Sequence, residues 1–303
     1  MQKTPESVFD TDLSAIAVCD IERKDKIFQN KDQGGLQIND TEAEEVDMKI
    51  AIKREVIKLL ADVTYTHVPY WFNLTMMDLK MDILMPKESK SHEKQPLIVW
   101  CCGGGFTVMD CHIWIPELVE YARRGYVVAS IQYRTESQGE FPACLVDAKS
   151  AVRYLRAHAE EYCIDSENIT IMGESAGGCL SCMVGVTNGE AAYEQGEYCG
   201  YSSKVNRVVS FYGPIFDGEQ GVEMPKNQSL YSNMVNHDST PQLLLQGDLD
   251  TLVDKSLMDH YKKKLDELGI PNQYVVVEGA GHGTEQFYQE EMVDIVDHFI
   301  KNT

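Results

Sequence analysis

The most informative stretch of the chain is ITIMGESAGG, residues 169–178. Its first four residues form a short apolar run, as in a strand that is buried on both faces, and a helical pattern follows. The five residues from Gly173 to Gly177 form the turn G-x-S-x-G. A strand, a sharp turn and a helix in this order hold a serine hydroxyl exposed beside a base, which so weak a nucleophile requires. The stretch therefore predicts that Ser175 is a catalytic nucleophile.

The residues around Ser175 also predict part of an oxyanion hole. Glycines at 173 and 177 permit the close backbone approach that such a turn needs. The following helix would direct its N-terminal N–H groups, and the positive end of its dipole, at the developing negative charge. We therefore expect the N–H group of Ala176 to donate to the oxyanion.

Strands and helices alternate on both sides of this turn. The segments 63–65 and 79–85 alternate with period two, which predicts half-exposed antiparallel strands. Apolar runs predict buried strands at 97–101, 126–131, 169–172, 205–211, 242–245 and 274–277, and helical patterns occupy 114–124, 144–160, 175–185, 255–268 and 285–301. This order predicts an α/β fold with a mostly parallel central sheet and helices on both faces. The stretches 186–203 and 217–240 fit neither pattern.

The N-terminal part of the chain precedes this alternation. Asp40 or Thr41 could cap a helix, acidic residues follow in its first turn, and apolar residues recur at helical spacing. The pattern predicts a helix over 40–60. We accordingly divide the chain into an N-terminal helical arm or cap, residues 1–60, and a catalytic domain, residues 61–303.

A glycine-rich loop follows a predicted buried strand and reads CGGGF, residues 102–106. Consecutive glycines leave backbone N–H groups free to face a ligand. Together with the serine turn, the loop predicts that Gly104 and Gly105 join Ala176 in forming the oxyanion hole. Phe106 follows these glycines directly, and we expect it to contact substrate, with ordinary packing as the alternative.

His282 is the predicted base. It lies in the loop GAGHG, residues 279–283, directly after a predicted strand, where the active sites of open α/β sheets collect. The supporting carboxylate should follow the preceding strand, where Asp248 and Asp250 both occur. The spacing G-x-x-D-x-x-V favours Asp250, with Asp248 shaping the turn. The chain order is then Ser175, Asp250, His282.

The composition argues against several classes of function. The 303 residues include 27 Lys and Arg against 48 Asp and Glu, a formal net charge of −21. Such acidity disfavours binding to nucleic-acid phosphates and to anionic membrane surfaces. The nine cysteines lie mostly in apolar runs, which is typical of a reducing compartment. No signal peptide or membrane-spanning stretch is recognised, so we expect a cytoplasmic protein.

These motifs resemble those of α/β-hydrolase carboxylesterases, near the hormone-sensitive-lipase-like and the feruloyl and acetylxylan esterase branches. The similarity runs from Val63 to Ile300 and includes MDILMP at 81–86 and IQYR at 131–134. It implies an α/β-hydrolase fold and a Ser-His-Asp triad that hydrolyses esters through an acyl-enzyme, with no cofactor and no metal. Arg134 and Asp147 match positions that are structural in that family.

The chain departs from the family pattern at Cys102, where the family usually has His. That His helps to order the oxyanion loop by hydrogen bonding, and a thiol is a weaker partner. The backbone donors remain, so we expect activity to survive. A redox or metal-binding role for Cys101 with Cys102, or for Cys179 with Cys182, is a minor alternative.

The expected substrate is a small ester, of short-acyl or hydroxycinnamoyl type, because no hydrophobic lid helix like that of a long-chain lipase is evident. Trp114, Tyr212 and Phe216 could form an acyl or aryl pocket, with ordinary packing as the alternative. His112 and His237 lie in loops that could line such a pocket. Two other functions stay open: an amidase or peptidase of the same fold, of arylformamidase or prolyl-oligopeptidase type, and a non-catalytic binding module. A homodimer is compatible with the sequence.

Overall fold

An eight-stranded sheet forms the centre of the described structure. The computed structural model describes residues 50–87, 93–213 and 234–303. The strands are β1 Ile57–Tyr70, β2 Thr75–Pro86, β3 Gln95–Cys101, β4 Val127–Ile131, β5 Ile164–Glu174, β6 Arg207–Phe211, β7 Gln242–Gly247 and β8 Asn272–Val277. Their order across the sheet is β1-β2-β4-β3-β5-β6-β7-β8. β2 is antiparallel to β1 and β4, and all other neighbouring pairs are parallel.

Helices cover both faces of this sheet. Within the described ranges they are α1 Ile115–Arg123, α2 Ala143–Ala157, α3 Ala176–Val186, α4 Lys255–Glu267 and α5 Glu290–Asn302. α1 and α5 bury side chains such as Leu118 and Phe299 on one face, and α2, α3 and α4 bury side chains such as Val152 and Met258 on the other. The predicted mostly parallel sheet with helices on both faces is confirmed. The predicted helix over 285–301 is divided into a 3-10 helix, Glu285–Tyr288, and α5.

Burial on both faces explains the continuous apolar runs of the central strands. In β7, Leu243 and Leu245 belong to the core beneath α1 and α5, whereas Leu244 belongs to the core beneath α2, α3 and α4. Successive side chains of a strand point to opposite faces, so a strand covered on both sides must be apolar at every position. Because β3 to β8 are parallel, the loops after their carboxyl ends meet at one edge of the sheet.

The predicted helix over 40–60 is wrong in its described part. Residues 50–56 contain no helix, and β1 begins at Ile57. Ile57 pairs with Pro86 across the β1–β2 hairpin, so strand pairing outweighs the helical spacing of the apolar residues. Every element above belongs to the unit Ile52–Thr303. Residues 1–49, most of the predicted arm, lie outside the described residues.

The long loop after α3, which fitted no helical or strand pattern, is anchored by two buried cations of α2. Lys149 Nζ donates to Thr187 O at 2.9 Å and to Glu194 Oε1 at 3.0 Å. Arg153 Nη1 donates to Glu194 Oε2 at 2.9 Å. Both cationic side chains are fully buried. Ion pairs therefore hold this loop against α2, together with the edge-on contact of Tyr198 with Tyr154 of α2.

Candidate active site

Ser175 lies at the sharp turn between β5 and α3. Its φ is +52° and its ψ is −125°, a backbone conformation that residues other than glycine rarely adopt. The Ser175 N–H group donates to Phe211 O at 2.9 Å, which ties the turn to β6. A Cβ at Gly173 or Gly177 would collide with the carbonyl oxygen of Cys101 on β3. These contacts explain why the turn needs glycine on both sides of the serine.

His282 lies between Ser175 and Asp250. His282 Nε2 is 2.9 Å from Ser175 Oγ, and His282 Nδ1 is 2.8 Å from Asp250 Oδ2. The loop after β8 carries His282, and the loop after β7 carries Asp250. The N–H group of Gly279 donates to Asp248 Oδ1 at 2.7 Å and so joins the two loops. The structure thus places the three predicted residues in one hydrogen-bonded chain and Asp248 in the turn.

The Asp250 carboxylate is buried and receives four hydrogen bonds. Its side chain is 0% exposed, whereas that of His282 is 18% exposed. Oδ1 accepts from the N–H groups of Leu252 at 2.9 Å and Val253 at 2.8 Å, and Oδ2 accepts from His282 and, at 3.1 Å, from Gln246 Nε2. These donors offset the cost of burying a carboxylate charge. A carboxylate at Nδ1 also favours the tautomer whose Nε2 can accept a proton from serine.

The loop after β3 carries the two other predicted oxyanion donors. Gly104 and Gly105 have φ values of +123° and +62°, which glycine adopts at little cost. Gly104 O accepts from the N–H group of Val108 at 3.1 Å, which closes the loop on itself. Among the described residues, no acceptor engages the N–H groups of Gly104, Gly105 or Ala176. These three N–H groups are therefore free to donate to a ligand.

This glycine loop is ordered without the histidine that the family usually has. Tyr133 Oη donates to Cys102 O at 2.5 Å, and the N–H group of Gly103 donates to the Glu174 carboxylate. The Cys102 thiol is buried, and its Sγ lies 3.8 Å from Ser130 Oγ. The thiol thus makes only a weak contact, and Tyr133 and Glu174 hold the loop backbone.

Glu174, the residue directly before Ser175, is a buried carboxyl group within this network. Trp114 Nε1 donates to Glu174 Oε1 at 3.1 Å. Burial raises the pKa of Glu174, and this rise is partly opposed by hydrogen bonds from Gly103 and Trp114 and by the charge of His282. Glu174 therefore connects the glycine loop, the start of α1 and the surroundings of His282.

Aromatic side chains surround His282. Tyr212 packs edge-on against the imidazole, with ring centroids 4.7 Å apart, and its hydroxyl contacts the hydroxyl of Tyr288. Tyr288 stacks on Trp114 at 4.2 Å between centroids. Both rings of this stack also line a cavity of about 190 Å³ between α1 and α5. Of the predicted pocket aromatics, Trp114 and Tyr212 lie near His282, and Phe216 lies outside the described residues.

Phe106 is a core residue. Its side chain is 4% exposed and packs edge-on against Tyr133, with centroids 6.3 Å apart. Its carbonyl oxygen accepts from the N–H group of Glu136 at 2.9 Å. This placement favours the packing alternative for Phe106, because a side chain so deeply buried has little surface to offer a substrate.

The other loop histidines make separate contacts. His112 Nδ1 is 2.8 Å from Asp82 Oδ2, and this hydrogen bond raises the pKa of His112. His237 Nδ1 contacts a backbone carbonyl at 2.9 Å. Asp110, Cys111 and His112 form a group, within the described part of the chain, that could hold a metal ion. Burial raises the pKa of the Cys111 thiol to about 12, which disfavours the thiolate that a metal would bind.

The described cysteines are all free. Cys101, Cys102, Cys179 and Cys182 are buried, and burial raises the pKa of all four thiols, to about 12 for Cys102 and Cys182. Thiols of this kind are poor nucleophiles at neutral pH. The placement of these cysteines favours packing over redox chemistry.

Sequence reasoning missed two buried polar residues beside Ser175 and Asp250. Glu174 lies within the serine turn, and Gln246 directly precedes Gly247 at the end of the apolar strand β7. Polar side chains rarely occur in fully buried strands without a partner. A polar residue at or next to the end of an apolar strand was therefore the signal that could have revealed both.

Comparison with known proteins points to esterases. The BD-FAE family matches residues 81–265, more than half of the chain. The probable carboxylic ester hydrolase LipM of Mycobacterium tuberculosis is 26% identical over 161 residues, which are 46% of this chain and 37% of LipM. The probable isoprenylcysteine alpha-carbonyl methylesterase ICMEL1 of Arabidopsis thaliana is 23% identical over 253 residues, 74% of this chain and 52% of ICMEL1. The chain thus spans about half or less of the length of these relatives.

Similar solved structures match over most of their length. The esterase Est2 of Thermogutta terrifontis with propionate bound has a TM-score of 0.67 and 25% identity, covering 82% of this chain and 94% of Est2. The same esterase phosphorylated by paraoxon has a TM-score of 0.65 and 26% identity, covering 84% and 96%. These matches confirm the predicted α/β-hydrolase fold.

Proposed function

Because the chain belongs to the BD-FAE family of α/β-hydrolase esterases, we propose that it is a serine carboxylesterase that acts through an acyl-enzyme. The observation that carries this proposal is the hydrogen-bonded chain of Ser175, His282 and Asp250, with His282 within 2.9 Å of both partners. Nucleophile, base and orienting acid lie in the geometry that activates a serine hydroxyl.

In the proposed reaction His282 acts first as base and then as acid. Its Nε2 takes the Ser175 proton as Oγ attacks the ester carbonyl, and the resulting imidazolium is stabilised by Asp250. The same proton then passes to the departing alcohol as the carbonyl re-forms, which leaves the acid esterified to Ser175. A water molecule activated by His282 hydrolyses this acyl-enzyme and releases the acid.

The tetrahedral intermediate carries a negative oxygen in each half of the reaction. We assign its stabilisation to the N–H groups of Gly104, Gly105 and Ala176, which are not used by acceptors in the described structure. Ala176 is the first residue of α3, so the positive end of the helix dipole adds to the effect. Preorganised donors of this kind each contribute about 10²- to 10³-fold to kcat.

The proposed substrates are short-acyl or hydroxycinnamoyl esters. The similar esterase Est2 has been solved with propionate and with butyrate bound, which supports a small acyl group here. A groove of about 350 Å³ borders the glycine loop at Thr107 and Val108, with Gln132 and Gln138 among its polar lining residues. We assign the larger of the two parts of the ester, acyl or alcohol, to this groove.

The decisive test compares Ser175→Ala with Ser202→Ala, an exposed serine, on p-nitrophenyl acetate. We expect kcat to fall by at least about 10³-fold in the first variant and to be unchanged in the second. Undiminished hydrolysis by Ser175→Ala would refute the mechanism. A panel of acetyl, butyryl, octanoyl and feruloyl esters would then define acyl preference.

Two further measurements separate the alternatives. Matched ester and anilide substrates distinguish an esterase from an amidase or peptidase, since an esterase should show a much higher kcat/KM for the ester. Labelling of the folded protein by a fluorophosphonate probe distinguishes an enzyme from a binding module, which would not react.

The proposed partner is a small-molecule ester. None of the helices in the described ranges is long and apolar enough to span a bilayer. The cytoplasmic location, the lack of nucleic-acid and membrane partners, and a homodimer remain predictions.

A further inference from the structure

We propose that Gln246 is a positioning residue for Asp250, so that the hydrogen-bonded chain of the site has four members: Ser175, His282, Asp250 and Gln246. The inference rests on the proposed function, because it assumes that His282 is the base. It adds a residue that lies outside the predicted triad and the predicted oxyanion hole.

The Gln246 amide joins both ends of the turn that carries Asp250. Its Nε2 donates to Asp250 Oδ2 at 3.1 Å and to Val253 O at 3.0 Å. Both partners are acceptors, so the amide orientation is defined: a rotated amide would place Oε1 against two oxygens. Gln246 is fully buried at the end of β7, and it therefore ties the turn from Asp250 to Val253 to the rigid sheet.

The hydrogen bond to Oδ2 is the one that bears on His282. Asp250 Oδ1 is already held by the N–H groups of Leu252 and Val253. Oδ2 has two donors, His282 Nδ1 at 2.8 Å and Gln246 Nε2. Without Gln246, Oδ2 would be held only by the imidazole that it is meant to orient. Gln246 thus fixes the carboxylate independently of His282.

The loss of stability from the unpaired oxygen of Gln246 argues against a packing role for this residue. Gln246 Oε1 is buried and has no partner among the described residues, and an unsatisfied buried acceptor destabilises a fold. Leu243, Leu244 and Leu245 fill the preceding positions of the strand at no such cost. Gln242 of the same strand is bonded through its oxygen, whereas Gln246 is bonded only through Nε2. The donor is therefore the group that position 246 uses.

The inference also predicts a change in pH dependence. Within the described ranges, the titratable groups that face His282 are Asp250, in direct contact, Glu174, through its charge, and the Tyr212 phenol, through its ring. Gln246 is neutral, and its hydrogen bond to Oδ2 reduces the negative charge that Oδ2 presents to His282. Loss of this bond leaves more of that charge to stabilise the imidazolium of His282. The acid limb of the kcat/KM profile should then move to higher pH.

The chain offers a closely matched control in Gln242. It lies on the same strand and the same face as Gln246 and is also fully buried. Its Oε1 accepts from Tyr261 Oη at 3.0 Å, and its Nε2 has no partner among the described residues. Gln242 begins β7, at the opposite end from Asp250. Met resembles Gln in length and cannot donate, so Gln246→Met and Gln242→Met remove similar amides at different distances from the site.

The experiment measures kcat, KM, the pH profile and the melting temperature of both variants on p-nitrophenyl butyrate. For Gln246→Met we expect kcat to fall between about 10- and 100-fold, as for small misplacements of catalytic groups, with KM changed less than twofold and the acid limb moved to higher pH. For Gln242→Met we expect an unmoved profile and kcat within twofold of the parent, even if the melting temperature falls.

Three outcomes would overturn the inference. They are an unmoved pH profile in Gln246→Met, an unchanged kcat, or equal losses in both variants. If Gln246→Met fails to fold, Gln246→Glu serves instead: its protonated acid can donate to Asp250, so its activity relative to the parent at the same pH should be highest at the acid end of the profile and should fall as the new carboxyl ionises. If the activity of Gln246→Glu relative to the parent does not change with pH, the positioning role is equally refuted. Activity in Ser175→Ala would refute the proposed function itself, which is a separate result.

Discussion

The carboxylate of Glu174 accepts a hydrogen bond from the backbone N–H group of Gly103. This contact joins the residue before the candidate nucleophile to the loop that carries two of the candidate oxyanion donors. The strand that ends in the serine turn therefore also sets the position of the glycine loop. In the usual family pattern a histidine at position 102 helps to order this loop, and here a buried carboxyl group contributes.

Replacement of Glu174 tests how far this contact controls catalysis. In Glu174→Ala the Gly103 N–H group loses its acceptor, so we expect kcat on p-nitrophenyl acetate to fall by about 10-fold or more with little change in KM. Glu174→Gln is the matched control, because its amide oxygen can still accept from Gly103 and Trp114. Equal activity of the alanine variant and the parent would show that Tyr133 alone suffices to hold the loop.

The glycine at position 177 should be irreplaceable. A Cβ there would collide with Cys101 O on β3, and the Cys101 backbone cannot move without disturbing the sheet. We expect Gly177→Ala to lower the free energy of unfolding by about 1–3 kcal/mol and to reduce esterase activity. In Gly200→Ala the new methyl group meets nothing within 4 Å, so denaturant unfolding should show little change. Similar stability of the two variants would contradict the collision.

The ion pairs of Glu194 with two buried cations should stabilise the fold more than an exposed ion pair does. In Glu194→Gln, the fully buried side chains of Lys149 and Arg153 lose their carboxylate partner. We therefore expect the free energy of unfolding to fall by about 3 kcal/mol. The control is Glu267→Gln, which breaks the exposed pair of Lys263 and Glu267 and should cost under about 0.5 kcal/mol. Urea unfolding of both variants measures the difference, and equal losses would refute the anchoring role.

The pair of His112 and Asp82 should make stability depend on pH. The hydrogen bond to Asp82 raises the pKa of His112 in the folded state. The stabilisation is thus fully present below the unfolded histidine pKa of about 6.5 and is lost as pH rises through the higher folded value. Because His112 is half exposed, we expect an effect below about 1 kcal/mol.

Unfolding of His112→Gln between pH 5 and 9 provides the measurement. Its stability curve should be flatter than that of the parent, whereas His298→Gln, at an exposed histidine of α5, should follow the parent. A difference in stability between the parent and His112→Gln that grows as pH rises would have the wrong sign for the pair.

The sequence predicted the elements that depend on local patterns. The serine turn, the glycine loop and the loop of His282 were all recognised because each combines glycines with a preceding apolar strand. Those strands could be recognised because burial on both faces makes every position apolar. The predicted helix over 40–60 is wrong at Ile57. The apolar spacing there is helical, but Ile57 pairs with Pro86 on β2, and no local pattern reveals a contact between residues so distant along the chain.

By itself, then, the sequence determined which residues could act: a serine in a strained turn, one histidine at a strand end, and an aspartate chosen by its spacing from glycine. The tertiary structure decided which of them meet and what holds them. Parallel strands bring the ends of β5, β7 and β8 to one edge, so residues far apart in the chain lie within hydrogen-bonding distance. The contacts of Glu174 and Gln246, and the burial of Phe106, follow from packing between strands, because a side chain's surroundings depend on neighbours that are distant along the chain.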